Sequence, residues 1–172
     1  GFGSATLRPE LSRSIEVGIA GRGDVGKWSL NAYQTNVTDL IGFDALFKPV
    51  NINTARLTGL EAQLKSQLAA WDVNSTLTLQ DPRQSSGINT GKLLNRRATE
   101  TMRIEVARPF GAYRIMSSLY AEGRRFDSLA NTAATRLAGY GLLDVRAEYR
   151  VSPEWLVQGR IDNVLDKQYE TA

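Results

Sequence analysis

Two pairs of adjacent arginines, Arg96-Arg97 and Arg124-Arg125, are the residues of this 172-residue chain best suited to holding a ligand. A guanidinium is planar and always charged, and its donor fork matches phosphate, carboxylate or amide oxygens. Arg96, Arg97 and Arg125 are therefore the candidate binding residues, and the competing reading is that they bind lipopolysaccharide phosphates or are merely solvated. The acids offer less. Asp144 and Glu148 share one face of an extended segment and could imitate the carboxylate pair of a glycosidase. Arg146 and Arg150 fall on that same face, so salt-bridged wall residues are the better reading. Asp44, Asp81 and Asp127 fall in expected loops and lack the dense oxygen-ligand spacing of a calcium loop. The chain has no His and no Cys. That removes the commonest general base, thiolate metal ligands and any disulfide framework. No catalytic group, metal site or cofactor is expected.

The elements that must position these side chains read as strands. In Gly141 to Val151, Leu143, Val145, Ala147, Tyr149 and Val151 point one way, and Asp144, Arg146, Glu148 and Arg150 point the other. Strict period-two alternation is a strand with one apolar and one polar face. Ser152-Pro153-Glu154 makes a turn, and a second alternating run follows from Trp155 to Asp162. The same unit recurs over Ser12–Ala20, Trp28–Phe43, Ala55–Ser66, Trp71–Gln80, Ala98–Arg108 and Tyr113–Gly123. About eight strands result, with no helix. Connections alternate short and long: 21–26, 67–70, 109–111 and 152–154 are short, while 44–53, 81–95 and 124–139 are long. In an up-and-down meander all short turns then lie at one end and all long loops at the other. Trp28, Trp71 and Trp155 each follow a short turn and share that end.

Composition narrows the setting. Net charge is +3 with a pI near 9.3, and no Lys/Arg run interleaves with aromatics, so nucleic acid is not an expected partner. Mean hydropathy is −0.29, which would suit a soluble domain. A transmembrane barrel gives the same value, because only alternate residues meet lipid. Glu16, Glu61, Lys65, Arg103, Glu105, Arg114, Glu122 and Arg160 all fall on polar faces, where a wet lumen would hold them. Many positions on the opposite face are Ala, Gly, Ser or Thr, which suits lipid contact better than a packed core. Gly1-Phe2-Gly3-Ser4 has neither a basic leader nor an apolar run, so no signal peptide is expected at the start.

Four stretches carry a family resemblance in order. Leu7-Arg8-Pro9-Glu10-Leu11-Ser12, Asn31 to Ile41 (NAYQTNVTDLI), Asn53 to Glu61 (NTARLTGLE) and Asp162 to Glu170 (DNVLDKQYE) resemble segments of the TonB-dependent outer-membrane receptors. Leu93-Leu94-Asn95-Arg96-Arg97-Ala98 and Gly123-Arg124-Arg125-Phe126-Asp127 are similar to segments of the cobalamin (vitamin B12) receptors within it. The resemblance implies an all-β fold: an antiparallel up-and-down transmembrane β-barrel, of which residues 1–172 supply about eight strands of 22. The plug domain, the TonB-contacting box and the closing strand are expected to be absent. It further implies the bacterial outer membrane, a large nutrient such as cobalamin as ligand, TonB as energising partner through the N-terminal part, and lipid or lipopolysaccharide around the wall. By the same resemblance Arg96 would reach the corrinoid at the rim. The alternatives are a siderophore receptor of the same family, an eight-stranded outer-membrane barrel of other function, and a soluble lipocalin-like binder.

Overall fold

A computed structural model describes residues 6–43 and 48–171. The opening Gly1 to Ser4, Asp44 and most of the expected 44–53 loop tip lie outside the described residues or their described side chains. The chain forms β1 (Leu11–Gly23), β2 (Gly26–Phe43), β3 (Pro49–Leu68), β4 (Trp71–Gln84), β5 (Glu100–Phe110), β6 (Tyr113–Glu122), β7 (Arg125–Phe126), β8 (Arg136–Leu137), β9 (Tyr140–Arg150) and β10 (Leu156–Ile161). Eight of these make one sheet in the order β1-β2-β3-β4-β5-β6-β9-β10, and β7 pairs with β8 apart from it. Every pairing in the main sheet is antiparallel. The wall is open: β1 and β10 are its two edges.

The expected meander is therefore present, with two corrections. The second connection is not a ten-residue loop, because β3 begins at Pro49. Asp81 is not in a loop either, because β4 runs on to Gln84. Both corrections have one cause. β2, β3 and β4 are 18, 20 and 14 residues long, more than the 9–11 a membrane needs. Above the apolar band the pattern inverts: inner-facing Val37, Ala55 and Pro82 are buried while outer-facing Arg56, Asp81 and Arg83 are exposed, so the apolar alternation of the spanning part stops while the ladder continues. The other end turns tightly: Asp24-Val25, Ala69-Ala70 and Gly111-Ala112 each link two strands. Gly26 has φ +119, and a Cβ there would sit 2.2 Å from the Lys65 carbonyl oxygen, so only glycine fits. Trp155 precedes β10 instead of opening it, its carbonyl accepting from the Val151 amide at 3.0 Å.

The register separates two faces. One row joins Val17, Ala32, Leu60 and Leu79; the row beside it joins Gly18, Asn31, Glu61 and Thr78. The apolar face is bare: Ile15 and Val17 are each 69% exposed, Leu60 47% and Leu79 43%. Among the described residues the buried hydrophobics are Val37, Ala55, Leu94 and Ala98, none on that face. At the turn end the apolar face carries rings. Trp71 meets Phe110 edge-on at 6.5 Å, Tyr113 stacks on Tyr149 at 4.5 Å, and the Arg108 guanidinium lies 4.6 Å from the Phe110 centroid. Such amphipathic rings and snorkelling cations belong at a membrane interface.

Candidate functional site

The inner, polar face is built by alternation and held by ion pairs. Arg103 faces Glu105 at 3.7 Å, Arg114 faces Asp72 at 4.0 Å, Arg160 faces Asp144 at 3.9 Å, and Arg146 pairs with Glu148. Cross-strand register puts these groups side by side: Arg146 lies opposite both Met116 and Arg160, and Glu148 opposite Arg114 and Gln158. Together they line a trough bounded by Asp72, Asn74, Arg103, Glu105, Arg114 and Arg146. All four pairs are at least partly exposed, so each contributes little to stability. What they make is a hydrophilic wall of mixed sign. Asp144 and Glu148 are each tied to an arginine there, as the salt-bridge reading expects.

Above the trough, two connections fold inward across the wall. Segment 85–99 returns along β4, with the Gln84 amide donating to Lys92 O at 2.9 Å and the Leu94 amide to Pro82 O at 2.8 Å. Segment 123–139 is zipped to it by Asn131. Its Oδ1 accepts from the Leu93 amide at 2.6 Å, and its Nδ2 donates to Leu93 O at 3.1 Å. Leu94 seats on Val37 and Ala55, with Leu40, Leu57 and Leu129 around it. A small apolar cap therefore closes on the inner side of the upper wall. It orders the segments that carry the arginines.

The three expected arginines have three different settings. Arg96 sits at φ +57, where its amide donates to Phe126 O at 2.7 Å and its Nε to Asp127 Oδ1 at 2.8 Å. Its side chain remains 55% exposed. Arg97 is exposed. Among the described residues no carboxylate pairs with it. Arg125 is 2% exposed. Its Nη1 lies 3.3 Å from Glu122 Oε1, its Nη2 donates to Glu170 O, and its guanidinium covers the Tyr140 ring at 5.4 Å. Arg96 and Arg97 are thus presented at the rim, while Arg125 is held inside the wall as a fastener. Asp127, weighed as a calcium acid, is the partner of Arg96, and Asp81 is the partner of Arg83 at 2.7 Å.

Alternation alone does not reveal the knot around Arg125. Tyr120 and Tyr140 donate to Glu122 Oε2 at 2.9 and 2.8 Å, and Tyr169 stacks on Tyr140 at 4.5 Å. The chain's last turn is thereby pinned to the wall. Asn163 holds that turn, donating to Lys167 O at 3.0 Å and accepting from the Lys167 amide at 2.9 Å. Nor does alternation single out Tyr33. Its ring lies over Gly59, where a Cβ would meet it at 2.6 Å, and its hydroxyl faces Gln80. Gly59 therefore makes room for a ring. The stretches that carry the family resemblance meet one another too: Arg8 pairs with Asp39, and Asn51 Nδ2 donates to the carbonyls of both, at 2.9 and 2.7 Å.

Residues 1–164 match the family model described as TonB dependent receptor-like, beta-barrel. The vitamin B12 transporter BtuB of Photobacterium profundum is 28% identical, across 97% of this chain and 28% of that protein. BtuB of Vibrio vulnificus is 29% identical, across 99% and 27%. The chain thus spans little more than a quarter of the curated relatives it matches. Among solved structures, the ferric yersiniabactin uptake receptor FyuA from Yersinia pestis superposes with a TM-score of 0.80 at 18% identity, over 94% of this chain and 26% of that one. The copper transporter OprC does so at 0.78 and 21%, over 96% and 27%.

Proposed function

Because the chain belongs to the TonB-dependent receptor β-barrel family, whose members reside in the outer membrane of Gram-negative bacteria, we propose that it is a section of the wall and rim of a receptor that imports cobalamin or a similarly large nutrient. The work is capture and passage, not bond chemistry. The inward-folded segments present Arg96 and Arg97 to amide and phosphate oxygens of the ligand. The charged trough below keeps the passage wet, so that a polar ligand exchanges one hydrated setting for another. TonB would act through a part of the receptor outside this chain. The open edges of β1 and β10 fit a section of a larger wall, because a bilayer does not tolerate unpaired strand edges.

One observation carries this reading: the large apolar side chains stand bare on the outer face while ion pairs fill the inner one. A soluble binder would seal the former and expose the latter. Equilibrium binding of cyanocobalamin to the full-length receptor in detergent tests the ligand. Saturable binding at or below micromolar concentration is expected. Absence of binding at that concentration removes cobalamin, and a ferric siderophore bound instead would assign the same rim to that branch of the family.

A further inference from the structure

The outer face carries a second cluster that ligand import does not use. Register aligns Arg13, Asn36, Arg56 and Arg83 in one row across β1 to β4. The row has the parity of Ile15, Leu60 and Leu79, so its side chains point away from the lumen. Like charges directly opposite one another on a sheet are destabilising, and Arg56 and Arg83 are direct cross-strand partners. Among the described residues Arg83 has a carboxylate partner and Arg56 has none. Arg83 Nε contacts Asp81 Oδ1 at 2.7 Å and Oδ2 at 2.8 Å, and its Nη1 donates to Gly91 O at 2.6 Å. Arg56 Nε donates to the neutral Asn36 Oδ1, at 3.2 Å. Among the described residues neither Arg13 nor Arg56 pairs with a carboxylate.

Height decides what could meet this cluster. Arg56 and Arg83 lie twelve residues up their strands from Leu68 and Trp71, which pair beside the turn. At about 3.3 Å per residue and a tilt near 40°, that is roughly 30 Å above the turn-end ring girdle. The apolar band of such a barrel is about 25 Å tall. The guanidiniums therefore stand just beyond hydrocarbon, at headgroup level, directly above the bare Leu60 and Leu79.

We propose that Arg56 and Arg83, flanked by Arg13 and Asn36, form a binding site for the phosphate of an acylated lipid in the outer leaflet. The acyl chains lie on the apolar band beneath, and the phosphate oxygens bridge the opposed guanidiniums. Asp81 competes with that phosphate for Arg83. The inference rests on the placement of the barrel in the outer membrane and is independent of which nutrient is imported.

Native mass spectrometry of the full-length receptor in detergent, titrated with bisphosphorylated lipid A, tests it. Saturable binding is expected, weakened at least about ten-fold in the double variant R56Q/R83Q. The control R108Q, at the opposite end, should bind as the parent does. The same lipid stripped of its phosphates should bind parent and double variant alike. Equal retention of bisphosphorylated lipid by parent and double variant overturns the proposal. So does parent protein that prefers inorganic phosphate, which would make this a free-anion site. If the double variant fails to reach the membrane, D81N decides: removal of the competing carboxylate should tighten lipid binding several-fold, and unchanged or weaker binding overturns the site.

Discussion

A single arginine does different work according to what faces it. Arg97 has no carboxylate partner among the described residues and stands exposed; replacing it leaves no orphan behind. R97Q should therefore weaken cobalamin binding about ten-fold, near 1.4 kcal/mol, with no loss of folding, as read by equilibrium titration beside a thermal melt. Arg125 is the opposite case. Its guanidinium is buried against Glu122, and the Glu122 carboxylate also takes two tyrosine hydroxyls. R125M leaves that carboxylate uncompensated, which for a buried pair costs about 3–5 kcal/mol. The expected sign is a lowered melting temperature together with new protease cleavage in 123–139 and after Asp162, and both absent would remove the knot from the account. Gly59 tests a third kind of residue. Its Cβ in G59A must displace the Tyr33 ring, so the variant should be destabilised by about 1–3 kcal/mol. Pairing it with Y33A should recover most of the loss.

At the scale of the strand, two-faced alternation is the property that decides everything, and neighbouring residues of β4 separate its two sides. Leu77 is 40% exposed on the apolar face and Thr78 lies opposite Glu61 on the polar one. L77R places a cation in mid-hydrocarbon at a cost of about 2–4 kcal/mol. T78R places it beside a carboxylate in a wet lumen and should cost close to nothing. Unfolding in lipid vesicles measures both, and equal effects would contradict the assignment of faces. The strands are legible in the sequence because this alternation is local, and the residue pairs that flank each short turn fix their register. The upper parts of β3 and β4 are not legible. Above the apolar band the pattern inverts, with Ala55 and Pro82 buried on the inner side and Arg56, Asp81 and Arg83 exposed on the outer, so the ladder continues without the period that marks the spanning part. The site is half legible for a related reason. Adjacent arginines announce a cationic rim, but exposure depends on partners far along the chain. Arg96 meets Asp127 across 31 residues and Arg125 meets Glu170 across 45, and no pattern in the neighbourhood of either encodes that.

For the whole molecule, what matters is which end faces which compartment. The two-residue turns at 24–25, 69–70 and 111–112 share one end with the Trp71, Phe110, Tyr113 and Tyr149 rings. The inward-folded segments that present Arg96 and Arg97 share the other. In barrels of this kind short turns are periplasmic and long connections external, so the rim faces the medium, from which the proposed ligand would be taken. The same orientation puts Arg56 and Arg83 in the outer leaflet, so capture and lipid contact stand or fall together at this scale. The chain contains no cysteine, so labelling beyond that of the unsubstituted full-length receptor reports the introduced thiol. A membrane-impermeant maleimide applied to intact cells should label S86C and S128C in the long connections. D24C and A70C in the turns should stay unlabelled until the outer membrane is permeabilised. Labelling of the turns in intact cells would invert the molecule. It would turn Arg97 away from the ligand supply and place the outward arginine row in the inner leaflet, away from the lipid that row is proposed to hold.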